Sequence, residues 1–267
     1  MRNSSVEIKK TSLANKTNFK TPIALSCVII AAISAFVIAD INIVSAITAV
    51  PEFIGFFIKN FLPPNFTNTK SYFPLILQTI MFAVVGTYIS AILAFLFGLL
   101  LSERTNHIRW LRMSILTIMS LFRNVPFLVW ASVLVYIFGI GNMVGLIALV
   151  IATLGFLSRS YAESINEIPE AKLEALKACG ASYLQILFHG LIPTFVPAWI
   201  NWTLFSFEIN IRASAILGLV GAGGVGIMIQ TNIRLFKYSE ALSLILILVA
   251  MVLLTEFVTN KIRSQIS

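Results

Sequence analysis

The chain has 267 residues, 58% of them hydrophobic and only 11% charged, with a formal net charge of +8. Its mean hydropathy of +0.92 excludes an ordinary soluble domain, in which about 25% of residues are charged. Apolar runs of about 20 residues match a hydrocarbon layer roughly 30 Å thick, so an all-α polytopic membrane protein is expected, and the lack of strand-type alternation argues against a barrel.

Residues 1–20 form a polar, basic tail, and 21–39 form the first expected span. That run is long for the apolar part of a signal peptide and no small-residue cleavage site follows it cleanly, so it is read as retained. Residues 40–71 are expected outside. Their stretch INIVSAITAVPEFIGFFIKNFLPPNF competes as a span, but Asn42, Pro51, Glu52 and Lys59 interrupt it, which favours an interfacial helix on the outer face. Five more spans are expected over 72–101, 113–138, 143–158, 193–211 and 240–258, with a short tail over 261–267.

Orientation follows from the positive-inside rule. With the N-terminus inside, the inner segments carry Arg2, Lys9, Lys10, Lys16, Lys20, Arg104, Arg109, Arg112, Arg159, Lys172, Lys177, Lys261 and Arg263. The outer segments carry only Lys59, Lys70, Arg212, Arg234 and Lys237. Both termini are therefore expected in the cytoplasm. The net positive charge is explained by inner flanks meeting anionic lipid and requires no nucleic acid. Cys27 and Cys179 suggest neither a disulfide framework nor a metal site, and His107 and His189 stand outside any metal or triad pattern.

The inner loop over 163–193 is organised. Pro169 stands at a first helical turn, Glu170 sits at the positive end of the helix dipole, and Gly180 falls where a left-handed cap would end that helix. Ser182 and Gln185 form the S-x-x-Q pattern of a capping box, so a second helix is predicted to start at once. Leu173, Leu176, Tyr183, Ile186 and Leu187 recur at three- and four-residue spacing as apolar stripes. Either the chain's own bundle or a partner buries them. A DNA-reading helix-turn-helix has a similar outline, but Glu163, Glu167, Glu170 and Glu174 make a poor face for phosphates.

Within EALKACGASYLQILFHGLIP, the residues Glu174, Ala175, Gly180 and Pro193 stand at the spacing of the EAA loop of ATP-binding-cassette importer permeases, which this loop resembles. Leu176 replaces the second alanine of that pattern, and Gly190 and Ile192 replace its usual isoleucine and leucine. RNVPFLVW (123–130), FEINIRASAILGLVGAGGVG (207–226) and IRLFKY (233–238) are similar to the phosphonate permease family, whose relatives include phosphite permeases. The likeness runs from about residue 72 to the C-terminus, within an expected core of 72–260.

The resemblance implies a type I permease fold, with a five-helix core preceded by one additional helix. It implies a non-catalytic, multi-pass subunit of a bacterial inner-membrane importer for phosphonate, phosphite or phosphate. An ABC ATPase subunit would use ATP and magnesium, an extracytoplasmic solute-binding protein would deliver the anion, and a second permease copy would complete a homodimer. The chain itself would bind no cofactor. The loop would be a coupling helix seated on the ATPase. A permease for another solute such as methionine is the nearest alternative, and an ion-coupled secondary transporter the next.

Arg123 is expected about ten residues inside its span, where an arginine costs roughly 2.5 to 3.5 kcal/mol on insertion scales and must face water or protein. It either attracts an anion in the pathway or serves structure. Glu208 and Arg212, expected near the outer end of the fifth span, form a local i,i+4 pair, or else Glu208 pairs with Arg123 and leaves Arg212 for the substrate. GAGGVG matches G-x-G-x-x-G through Gly221, Gly223 and Gly226, but no βαβ unit surrounds it and no G-K-[ST] ending follows. Close packing or a bend at an outer gate, with Gly224 included, is the expected role.

Overall fold

The structure is a computed structural model, and it describes residues 20–39, 42–67 and 69–266. The expected N-terminal tail lies outside them, apart from Lys20. By contacts the chain divides into two units, Met1–Phe56 and Phe57–Ser267.

In the first unit, α1 (Lys20–Ile38) occupies the expected first span. Its Leu25, Val28 and Ile30 are exposed, as lipid-facing side chains would be. α2 (Ile43–Phe61) begins in this unit with an Asn42 cap, whose Oδ1 accepts from the Ser45 amide at 3.1 Å, and it carries Pro51 inside the helix.

The second unit holds α3 (Thr69–Leu101), α4 (Arg109–Asn124), α5 (Phe127–Phe138), α6 (Asn142–Asn166), α7 (Glu170–Ala178), α8 (Tyr183–Gln185), α9 (Ile192–Leu217), α10 (Val225–Arg234) and α11 (Tyr238–Ile266). A π-helical turn over Ile186–Leu191 joins α8 to α9, and a 3-10 turn over Gly218–Val220 follows α9. Among the described residues four helical stretches are long and apolar enough to cross a membrane: Lys70–Leu101, Asn142–Asn166, Tyr183–Val220 and Tyr238–Ile266. α4 and α5 make a fifth if the bent pair counts as one span. α3 has 33 residues, about 50 Å of helix, and exceeds the bilayer core.

Three expected spans differ from the observed ones. The run over 113–138 is not one helix, because α4 and α5 meet at 90°. Pro126 lacks an N–H and pushes Val125 into an extended conformation (φ −80°, ψ 120°), which ends α4. The short span over 143–158 is the first part of a 25-residue helix. Arg159 and Glu163 pair across one turn of it at 2.7 Å, so charge does not stop the helix. The fifth span is continuous with the second hairpin helix, since Tyr183–Val220 forms one 38-residue stretch. A normal turn there would press the Pro193 ring against the His189 carbonyl; the π turn widens the helix, and the Ile192 amide reaches back to Leu187 O.

α6 is the central helix of this unit. Tyr161 and Ile165 are fully buried against α3 and α9, with Phe195, Ala94 and Leu191 in the same cluster. A Cβ on Gly155 would lie 2.7 Å from the Arg123 amide nitrogen, so the small residue lets the end of α4 press onto α6. Asn210 on α9 donates to Thr87 of α3 at 2.8 Å and accepts from Thr153 of α6 at 2.9 Å. Thr87 and Thr153 fall near the middle of their helices, so this polar knot marks the mid-depth of the bundle.

Candidate functional site

Two features carry chemistry, and the first is the hairpin. Pro169 occupies the N-cap of α7, one position earlier than the expected first-turn site, with Glu170 in the first turn and Lys177 in the last. Gly180 has φ +81°. Its amide donates to Lys177 O at 3.0 Å, and that of Ala181 donates to Leu176 O at 3.1 Å, the paired bonds of a Schellman motif. The Ser182 amide donates to Gln185 Oε1 at 2.8 Å and Ser182 Oγ accepts from the Gln185 amide at 3.4 Å, closing a capping box.

The apolar stripe divides between two surroundings. Leu173 and Leu187 pack on the chain's own core, which is the bundle-folded alternative for those two residues. Leu184 and Phe188, four apart, are exposed with Tyr183 and were not singled out in the sequence. Their signal was present as an i,i+4 apolar pair beside the stripe. A Cβ on Gly190 would fall 2.5 Å from Leu176 Cδ1. Two of the three departures from the EAA pattern, Leu176 and Gly190, therefore touch, a larger residue on one helix filling space left by a smaller one on the other.

The hairpin is also tied to the loop between α3 and α4. Tyr183 Oη donates to Thr105 O at 2.9 Å. Asn166, at the end of α6, accepts on Oδ1 from Ser102 Oγ at 2.7 Å and from the Glu103 amide at 3.1 Å, and its carbonyl accepts from Arg104 Nε at 3.1 Å. Between these pieces lies a cleft of about 630 Å³ bordered by Glu174, Glu170, Lys177 and His107. Ala175 is exposed on the same helix.

The second feature is a group of charges at mid-depth. Glu208 accepts from Arg212 at 2.5 Å, and Arg263 Nη2 lies 3.6 Å from its other oxygen. Glu208 and Arg212 each lie two residues from Asn210, so they sit at mid-depth rather than at the outer end of a span. Arg263 belongs to α11 rather than to a tail, and its guanidinium lies 5.8 Å from the Phe205 ring centroid. Arg123 ends α4 and lies 5.9 Å over the Phe156 ring. Among the described residues no carboxylate pairs with Arg123, so of the two sequence alternatives the local Glu208–Arg212 pair is the one formed. Exchanging the charges of Arg123 and Glu208 is accordingly expected to give no rescue over either single change. Exchanging those of Glu208 and Arg212 should recover part of the lost uptake, and recovery by the first exchange alone would contradict this pairing.

The glycine segment is a buried turn. Gly221, Gly223 and Gly224 have φ of +81°, +98° and +80°. Thr79 of α3 fastens it: Thr79 Oγ1 accepts from the Val225 amide at 2.9 Å, and its carbonyl accepts from Ser214 Oγ at 3.1 Å. Thr79 lies eight residues from Thr87 along α3, about 12 Å from the polar knot toward the N-terminal end of that helix. The G-x-G-x-x-G spacing thus arises in a turn packed among helices, where a Cβ on Gly226 would lie 2.0 Å from Ala215 O.

The chain matches the family described as "Binding-protein-dependent transport system inner membrane component" over residues 91–264. It is 28% identical to the phosphite transport system permease protein PtxC of Stutzerimonas stutzeri over 204 residues, 76% of this chain and 74% of that one. It is 32% identical to the putative cryptic phosphonate transport system permease protein PhnE2 of Escherichia coli (strain K12) over 120 residues, 45% of this chain and 98% of that one. Among solved structures, a chain of the MetNI methionine ABC transporter in inward-facing conformations has the same fold, with a TM-score of 0.60 at 24% identity, covering 72% of this chain and 96% of that one.

Proposed function

Because the chain belongs to the family of binding-protein-dependent transport system inner membrane components, as an ABC importer permease of the phosphonate branch, we propose that it conducts a phosphorus oxyanion across the bacterial inner membrane. Two copies enclose the pathway on a two-fold axis, with both termini in the cytoplasm. An ATPase subunit docks under each hairpin and uses ATP with magnesium; a solute-binding protein outside delivers the anion. ATP binding closes the ATPase pair, the hairpins transmit that movement, the spans open outward, and hydrolysis resets them. No covalent chemistry occurs on this chain.

The observation that carries the reading is the charge at mid-depth: Arg212 pairs with Glu208, while Arg123, over the Phe156 ring at the end of α4, has no carboxylate partner among the described residues. A cation inside a bilayer is costly unless it faces water or an opposite charge. A surplus of positive charge there lowers the barrier to a dianion and raises it for cations. Zwitterionic methionine gains no such advantage. The test is uptake of radiolabelled phosphite by cells whose other phosphorus importers are deleted, with phosphate, methylphosphonate and methionine as competitors. Uptake suppressed by the phosphorus oxyanions and indifferent to methionine is expected. Saturable methionine import in their place would contradict the substrate assignment.

A further inference from the structure

We infer that the loop joining α10 to α11 is a docking surface for the solute-binding protein, with Phe236 as its central knob and Arg234 and Lys237 as its charged flanks. The inference rests on the importer reading above and names the surface on which that partner is received. Position selects this loop. Tyr72, near the start of α3, donates to Glu240, near the start of α11, at 2.8 Å, whereas Tyr183 of the hairpin donates to Thr105, beyond the other end of α3. The loop and the hairpin therefore lie at opposite ends of a 33-residue helix. With the hairpin on the ATPase side, the loop faces the side from which the binding protein comes.

Among the described residues Phe236 alone has a positive φ, +59°, without being glycine, and a bulky side chain in that region is a steric outlier. Its amide donates to Ile233 O at 3.1 Å and that of Lys237 to Asn232 O at 2.8 Å, the same cap that closes α7 at Gly180. The hairpin fills the left-handed position of the cap with glycine, at no steric cost, and this loop fills it with phenylalanine. The ring does not serve a core: it is 78% exposed, with Leu235 beside it 59% exposed. It stands edge-on to Tyr238 at 6.1 Å between centroids, and Tyr238 packs on Phe61 at 5.0 Å, so the knob is held in place before a partner arrives. Strain kept at an exposed position is the mark of a binding element. An aromatic anchor in lipid needs no such backbone, because a ring at any helix end reaches the headgroup layer. The charges agree. Arg234 and Lys237 are exposed and pair with no carboxylate among the described residues. Anionic lipid of the cytoplasmic leaflet accounts for the inner flanks and not for these two. A protein surface with an apolar pocket rimmed by carboxylates matches both the knob and its flanks.

The experiment uses the complete transporter in proteoliposomes of zwitterionic lipid, with its phosphite-loaded binding protein added outside at increasing concentration. Uptake of radiolabelled phosphite is measured for wild type, F236N and R234Q/K237Q. Asparagine accepts a positive φ, so F236N removes the ring and keeps the cap. It should raise the binding-protein concentration for half-maximal uptake about tenfold or more, the scale of losing an aromatic at the centre of an interface. Saturating binding protein should restore the wild-type maximal rate. R234Q/K237Q should raise the half-maximal concentration about three- to tenfold and flatten its rise with salt. This double change keeps the residue at positive φ and decides the matter if F236N fails to assemble. Wild-type half-saturation in both variants, or in R234Q/K237Q alone if only it assembles, would overturn this surface and leave the importer reading intact. Wild-type half-saturation together with poorer membrane insertion of F236N would also overturn it, assigning the ring to lipid. A wild-type transporter that takes up phosphite without any binding protein would overturn the importer reading and this surface with it.

Discussion

Replacing Gly180 with valine is expected to abolish uptake while leaving the chain in the membrane. A Cβ at Gly180 would meet nothing within 4 Å, so the substitution meets no steric obstruction from neighbours. The obstacle is the backbone, which holds φ at +81°. A β-branched residue resists that conformation by roughly 1–2 kcal/mol or more. If the backbone leaves it, the bonds from Gly180 to Lys177 and from Ala181 to Leu176 are lost, and the Ser182 capping box that aims α8 loses its anchor. Because α8 continues through the π turn into the spanning helix α9, a mis-aimed hairpin would not deliver to the pathway the displacement proposed for it. Asparagine tolerates positive φ better than other residues with a Cβ, so Gly180→Asn should retain most uptake. Normal uptake by Gly180→Val would remove the coupling role from this hairpin.

Gly226→Ala should have a larger effect on the protein itself. Its Cβ would lie 2.0 Å from Ala215 O and 3.1 Å from Gly218 Cα, and both are backbone atoms that cannot rotate away. Overpacking of this kind costs about 1–3 kcal/mol, and more where the backbone must move. The turn would separate from α9, and the bond from the Val225 amide to Thr79 would be lost with it. Yield of folded protein and thermal stability in detergent should both fall sharply. Gly141→Ala is the control, with φ 172° and open space around its Cβ; it should behave as wild type. A Gly226→Ala protein as stable as that control would contradict the packing described for the turn.

The parts of this structure legible in the sequence were those governed by neighbours along the chain. The Gly180 cap and the Ser182 box depend on residues within a few positions, and local chemistry fixes them. The apolar runs placed the long helices for the same reason. What depended on distant partners was not legible. A proline inside an apolar run is compatible with a kink as well as a break, and only packing against α6 shows that Pro126 turns the chain by 90°. Glu208 and Arg212 looked close to an outer surface because the span was ended at 211. The chain instead turns at Gly221–Gly224, short of the N-terminal end of α3, held there by Gln78 and Thr79. Those two polar residues in an apolar helix, with Thr87, were the available signal for a buried polar contact. That Leu173 and Leu187 pack on the bundle while Leu184 and Phe188 beside the stripe stay exposed likewise required the tertiary arrangement, since periodicity gives a face but not its occupant.

The lever role of the hairpin is tested most directly by uptake into proteoliposomes prepared with and without the ATPase subunit, the binding protein being present in both. Anion accumulation should require the ATPase and hydrolysable ATP, and should vanish when either is withheld. Accumulation by the permease alone, driven by an imposed ion gradient, would contradict it.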